Sequence, residues 1–377
     1  MKNKLSLLQT LSIVSGYTCG AYFLVTFGSK MHEINILSLL IAFIFMCFFS
    51  AKYISMLNDL SQSTNSLNVR DMVVSIQPKY AMTCTWFFYI YFVLFVAIMT
   101  LLAKTTVDSL GFIPNIVQYG LIFSGLLLAG IYEKTLVRVD VFLNIIKFLF
   151  FSSFVIAGIF FFCSHPDISI IEKNISLGTD FSKINMGILY AITCCTGLDT
   201  ILHLKNDMDE KDYNRAVRIL PLFVGFVFIS IILTSGFIFT PEEQVSNLIP
   251  TFFKNKLNFL LISRIELVLT LIMQLSGGMT ALYLALKMGK LCLPKLITEK
   301  KIGISAATVA IWLVMFFVVG NTLFVFLEIF ICIAWIHFPI LNILKSRQLK
   351  QPLDLKAVGF FVVCLFLLIK SLYDVIQ

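Results

Sequence analysis

Apolar runs of bilayer length, separated by short charged connections, repeat from one end of the chain to the other. A spanning helix needs about 20 mostly apolar residues. About eleven segments meet that measure: roughly 5–28, 34–57, 80–104, 112–131, 136–163, 184–204, 217–239, 258–287, 303–319, 322–344 and 356–376. Pro78, Pro114, Pro166, Pro241, Pro250, Pro294 and Pro352 fall in connections or at segment ends, where proline is tolerated. Pro221 and Pro339 lie inside segments, and Pro339 is expected to kink the tenth. Only Gly320-Asn321 separates the ninth from the tenth. The pattern predicts an all-α polytopic membrane protein, one transmembrane domain over 1–377, with no connection long enough for a separate soluble domain.

Two segments are interrupted at matching depth. The first contains Ser15-Gly16-Tyr17-Thr18-Cys19-Gly20, and the sixth contains Thr193-Cys194-Cys195-Thr196-Gly197. Glycine and β-branched residues are poor continuous helix. In hydrocarbon an opened turn must face protein or a wet cavity, because no water is there to bond its N–H and C=O groups. Paired interruptions in the two halves of a hydrophobic chain point to a transporter's binding site. The alternative is that these small residues only let helices pack closely.

Composition agrees with the pattern. The 377 residues are 59% hydrophobic and 13% charged, against about 25% charged in soluble domains, and mean hydropathy is +0.93. The net charge of +8 follows topology, with basic residues concentrated in alternate connections, so no nucleic-acid partner is expected. Lys and Arg are retained on the cytoplasmic side. That bias places the N-terminus and the connection 205–216 inside, and 164–182 outside. Met1-Lys2-Asn3-Lys4 before an apolar run mimics a signal peptide, but reads as the start of an uncleaved first helix. The expected location is the plasma (bacterial inner) membrane.

Nine scattered cysteines without a C-x-x-C pair read as packing residues, not a metal or disulfide framework. Asp207, Asp209, Glu210 and Asp212 lack the central glycine of a calcium loop and read as a solvated turn. No metal and no cofactor are expected. No H-E-x-x-H, G-x-S-x-G or P-loop pattern occurs, so an enzyme is not expected.

Three stretches carry a resemblance. Gly16-Tyr-Thr18-Cys-Gly20-Ala resembles the Gly-rich first-helix break of permeases in the amino acid–polyamine–organocation superfamily. Thr196-Gly197-Leu198-Asp199, then Asn206-Asp207 and Asn214-Arg215-Ala216-Val217, resembles its Gly-aromatic-Glu, acidic-pair and Arg-Ala-Ile pattern. Arg138-Val-Asp140 through Asn144-Ile-Ile-Lys147 resembles its Asn-x-x-Lys helix. The chain departs where Thr18 replaces the first glycine of the usual Gly-Ser-Gly core and Asp199 replaces the family Glu. The resemblance implies a five-plus-five inverted repeat, about 5–163 against 184–344 with an extra helix at about 356–376. It further implies alternating access around broken helices one and six.

An amino acid permease binds a zwitterion, and broken helices suit both ends. Half-helix N-termini offer N–H groups to a carboxylate, and unwound carbonyls can hold an ammonium. Gly16, Thr18 and Gly20 are assigned to the carboxylate, and Thr193, Cys194 and Gly197 to the ammonium. Lys147 lies near mid-membrane, where a lysine is costly and functional by default. In proton-coupled relatives a lysine at the matching position replaces a sodium ion, so Lys147 is the first candidate for proton coupling, packing alone being the alternative. Asp199 and His203, four residues apart, are candidates for a proton relay or for an ion pair. Glu328 and Tyr89 are possible gates, the latter with Trp86, Tyr91, Tyr17 and Tyr22 as an aromatic lid. Arg264 and Glu266 read as snorkelling groups, and His337 as structural. The expected partners are an amino acid or amine, protons and membrane lipids. The competing expectation is a nutrient receptor of the spore-germinant type on the same fold, without net transport.

Overall fold

The first apolar segment is helical on both sides of Cys19-Gly20, as α1 (Leu7–Thr18) and α2 (Ala21–Ile34). The computed structural model describes residues 4–18, 21–66, 68–110, 133–240, 242–243, 247–294, 301–314 and 323–376. Gly20 and the expected fourth segment at 112–131 lie outside the described residues, as does Gly320-Asn321. Then follow α3 (Ile36–Ser63), the short α4 (Val69–Ile76), α5 (Ala81–Leu110), α6 (Glu133–Ser164) and the short α7 (Ile168–Ser176).

The sixth segment is divided. Its first part is α8 (Phe181–Cys194); 3-10 turns at Leu198–Thr200 and Lys205–Asp207 flank the single turn α9 (Ile201–Leu204). The chain continues through α10 (Glu210–Ile238), the short α11 (Leu248–Asn255) and α12 (Leu260–Cys292). It ends with α13 (Lys301–Val314), α14 (Leu323–Gln348) and α15 (Leu355–Ile376). Eight helices are long and apolar enough to cross a membrane among the described residues. They coincide with segments two, three, five, six, seven, eight, ten and eleven.

Three short helices, α4, α7 and α11, occupy connections read as helix-free. Each is amphipathic over only two turns, too short for a hydropathy window. In α4 the buried residues are Val69, Met72, Val73 and Ile76, one face at 3.6-residue spacing, and Asn68 caps it by accepting from the Asp71 amide at 2.9 Å. The seventh segment begins earlier than apolarity suggested, at Glu210 instead of 217. Its first turn carries Glu210 and Asp212, which suit the positive end of a helix. The eighth runs on to Cys292, five residues past its expected end at Lys287.

Between helices in lipid there is little hydrophobic drive, so close packing and hydrogen bonds hold the bundle. α12 packs most extensively on α5, and α3 lies against both α8 and α10. A side chain at Gly225 of α10 would run into the Cys47 side chain of α3, so glycine sets that approach. Tyr53 of α3 stacks on Trp335 of α14 at 4.5 Å and donates its hydroxyl to the Trp335 carbonyl at 2.7 Å. One side of α6 exposes Phe142, Ile145, Leu149, Ile156 and Phe160, a face suited to lipid.

The N-terminal residues clasp the end of the sixth segment. The Leu5 amide donates to the Asp207 carbonyl at 2.6 Å, and Lys4 pairs with Asp209 at 2.7 Å. Asp207 and Asp209 are therefore ion-paired, not members of a merely solvated turn. Arg264 is exposed, as a snorkelling group should be, but Glu266 is buried.

Candidate functional site

The first segment lies along the broken sixth: α2 packs beside α8, while α1 packs against Leu198–Thr200 and α9. On the α2–α8 side Tyr190 joins them: its hydroxyl donates to the Phe23 carbonyl at 3.2 Å and lies 3.0 Å from the Thr26 hydroxyl. Its ring stands 5.9 Å from Tyr22. Tyr190 was not singled out in the sequence, where it is one aromatic among many.

The sixth-segment break has a specific cause. Gly197 adopts φ 104°, a left-handed conformation open to glycine. The Cys195 amide still reaches back to Ala191 at 2.8 Å, after which bonding tightens to three-residue spacing through Leu198 to Cys195 and Thr200 to Gly197. Hydroxyls of Thr193 and Thr196 donate to the carbonyls four residues earlier, at 2.9 and 3.1 Å. In α1, Thr18 does the same to Val14 at 2.7 Å. These bonds bend helices and occupy carbonyls at their ends. Gly16 lies inside α1, and Thr18 is its last residue. Thr18, Thr193, Cys194 and Asp199 are all buried.

Asp199 follows the break in the first 3-10 turn. Neither carboxylate oxygen has a hydrogen-bond partner of good geometry among the described residues, although the Gly197 and Asp199 amides act on it. His203 is equally buried, and both its ring nitrogens lack hydrogen-bond partners among the described residues. The expected ion pair between the two does not form. The 3-10 turn at Leu198–Thr200 has about three residues per turn, so positions four apart no longer share one α-helical face. The His203 ring is instead held edge-on by Phe88 at 5.2 Å and Phe92 at 5.3 Å, both from α5.

Lys147 is buried in α6, which packs on α1 and α12, the helices of the first break and of Gly277-Gly278. Glu328 is half-buried in α14. Tyr22 is buried with its ring 5.9 Å from Tyr190. Tyr89 goes elsewhere: its hydroxyl lies 3.0 Å from that of Thr308 in α13, and its ring meets Trp86 at 5.7 Å. From α5 it is Phe88 and Phe92 that face the sixth segment. His337 Nε2 sits 3.1 Å from Cys84 Sγ.

The far end of the sixth segment is fastened by a residue read only as topological charge. Lys287 of α12 donates to Asp207 Oδ2 at 2.5 Å and to the His203 carbonyl. Lys205 donates to Ser61 Oγ at 2.7 Å and to the Ser66 carbonyl at 3.0 Å, tying the same turn to α3.

Solved transporter structures share this arrangement. A nucleobase-cation-symport-1 family transporter, in a closed conformation with bromovinylhydantoin bound, is 14% identical, with a TM-score of 0.62 over 92% of this chain and 78% of its own. A Na+-coupled sialic acid symporter in a substrate-bound outward-open state is 11% identical, with a TM-score of 0.60 over 98% and 90%. A manganese transporter of Eremococcus coleocola is 12% identical, with a TM-score of 0.62 over 98% and 86%. At these identities the likeness shows the fold: an inverted-repeat transporter with helices one and six broken. A search of curated proteins by sequence finds no match. The amino acid permease family profile covers residues 5–290. With helices of crossing length, a broken sixth segment and this fold, the chain belongs to the amino acid permease family, as a multi-pass membrane protein of the secondary-transporter class.

Proposed function

We propose that this chain is a proton-coupled permease that moves an amino acid or related amine across the plasma membrane by alternating access. The observation that carries the reading is the sixth-segment break at Gly197, with the first segment packed along it and the buried Asp199 carboxylate beside it. The start of α2 at Ala21 presents free N–H groups and a positive dipole end, matched to a carboxylate. Gly16, Thr18 and Gly20 lead into that start. The end of α8 at Thr193 and Cys194 is the negative end of its helix, matched to an ammonium, and Gly197 makes the turn that opens it.

Lys147 takes the coupling role in this proposal. Its ammonium, held in α6 against α1 and α12, does the work of a bound cation between bundle and scaffold. Proton loss weakens that hold and frees the bundle to rock. Asp199 is the second proton acceptor, and Glu328 with Tyr22 closes the α2–α8 side. The N-terminus is cytoplasmic, so the Lys287–Asp207 end of the site faces the cytoplasm. A bundle that carries the broken segments, drawn from both five-segment repeats at about 5–163 and 184–344, then rocks against the scaffold.

Purified protein in liposomes tests this directly. An imposed proton gradient should drive accumulation of a labelled amino acid or amine, and a protonophore should collapse it. Saturable binding with no flux under any gradient would instead favour a nutrient receptor on the same fold.

A further inference from the structure

Three helix ends meet on one surface of the protein. One membrane-crossing helix begins at Pro78, another ends at Gln348 and a third begins at Leu355. Side chains tie these ends together. Gln348 Nε2 donates to the Ile76 carbonyl, where α4 ends, at 2.6 Å, and Asn342 Nδ2 donates to Asp354 Oδ2 at 3.1 Å. α14 also packs along both α5 and α15. Lys79 therefore shares one end of the bundle with Arg347, Lys350 and Lys356, although it is distant from them in sequence.

Charge on this surface is one-sided. Lys79, Arg347, Lys350 and Lys356 are exposed, and none of them takes part in the ion pairs among the described residues. Asp354 is the one acidic residue between Lys345 and Lys356, and it is already engaged. Besides Asn342 it accepts the Lys356 amide at 3.0 Å, at the start of α15. Lys350 stops α14 with φ 52°, a position where glycine is usual, so a long cationic side chain stands at that turn. Apolar groups are exposed among the bases: Tyr80 is 62% exposed, Leu349 55% and Leu355 82%. Leucine and tyrosine interleaved with lysine at helix ends suit the boundary between headgroups and acyl chains.

We propose that this surface docks an anionic phospholipid, its phosphate held among Lys79, Arg347, Lys350 and Lys356 and its acyl chains lying beside Tyr80, Leu349 and Leu355. The signs select the occupant. Clustered bases at the level of the headgroups attract anionic lipid, and a guanidinium can take a phosphate through two parallel hydrogen bonds. A zwitterionic headgroup would leave the positive charge unmatched. A second copy of the chain would set like charges against each other, and a soluble phosphate would leave the leucines in water. A lipid seated here bridges the α4–α5 corner and the α14–α15 connection.

The test uses the full chain in detergent, with unfolding followed by tryptophan emission. Phosphatidylglycerol, phosphatidylcholine with the same acyl chains, and glycerol phosphate are each titrated in. The expected result is a saturable rise in Tm with phosphatidylglycerol beyond that with the other two, weakening as salt is raised. Its apparent affinity should fall about tenfold or more when Lys79→Gln and Lys350→Gln are combined. Lys211→Gln, which removes an exposed base of α10 outside this surface, should leave the affinity unchanged. If the double variant does not fold, Arg347→Gln decides on the same criterion. An equal response to phosphatidylcholine or glycerol phosphate, an affinity undiminished in the deciding variant, or an equal loss in Lys211→Gln would overturn the site. So would a rise in Tm that accompanies dimerisation on gel filtration, which would give the face to a second copy. None of these outcomes depends on whether the protein transports.

Discussion

Lys287 Nζ lies 2.5 Å from Asp207 Oδ2 and also donates to the His203 carbonyl, so one ammonium joins the end of α12 to the last turns of the broken sixth segment. The Leu5 amide meets the Asp207 carbonyl from the other side. Three parts of the chain, distant in sequence, converge on one turn.

That convergence predicts a closure. Lys287→Ala should lower stability by about 1–2 kcal/mol, toward the low end of the usual range for bonds to charged groups, because the two side chains are 21% and 26% exposed and water screens the pair. The buried thiols Cys194 and Cys195 should then react faster with a thiol reagent in detergent. An unchanged labelling rate would mean that the pair braces the helix end without closing a path.

At the sixth-segment break, Gly197→Leu should abolish ligand binding while the protein still inserts. A φ of 104° is strained for any L side chain, by about 1–2 kcal/mol or more, and leucine would also fill the space beside the break. Gly20→Leu should behave alike in the first segment. Ligand-induced thermal shifts in membrane-extracted protein are the readout. Wild-type shifts in both variants would reduce the glycines to helix packing.

The coupling role proposed for Lys147 predicts that Lys147→Ala loses accumulation driven by a proton gradient and retains ligand binding. Lys147→Arg should fail as well, because a guanidinium stays charged and cannot release the proton. Uptake at the wild-type rate in either variant would send the search for the proton acceptor to Asp199 or Glu328.

Orientation gives a further prediction. In a cysteine-free background, a single cysteine at Glu210, the first residue of α10, should resist a membrane-impermeant reagent applied to intact cells and react after lysis. Labelling from outside would invert the topology drawn from the Lys and Arg distribution.

Eight of the spans, the sixth-segment interruption and the family were legible in the residues themselves. Hydropathy over some 20 positions is a local property, and in lipid it dictates helix because every backbone group must be satisfied within the segment. Gly197 marks its break for an equally local reason, since the left-handed turn there favours glycine. The pairing of side chains was not legible. Tyr89 rather than Phe88 looked like the aromatic of α5 to face the site, Asp199 and His203 looked paired, Glu266 looked like a snorkelling group, and Lys287 looked like topological charge. A helix apolar on nearly all sides carries no stripe that fixes its rotation. Which residue points inward is therefore set by the neighbouring helices, and one 3-10 turn is enough to rotate everything beyond it. Only the packing of α5 and α12 on their neighbours decided that Phe88 and Phe92 enclose His203, that Lys287 reaches Asp207, and that Glu266 is buried in the second turn of α12.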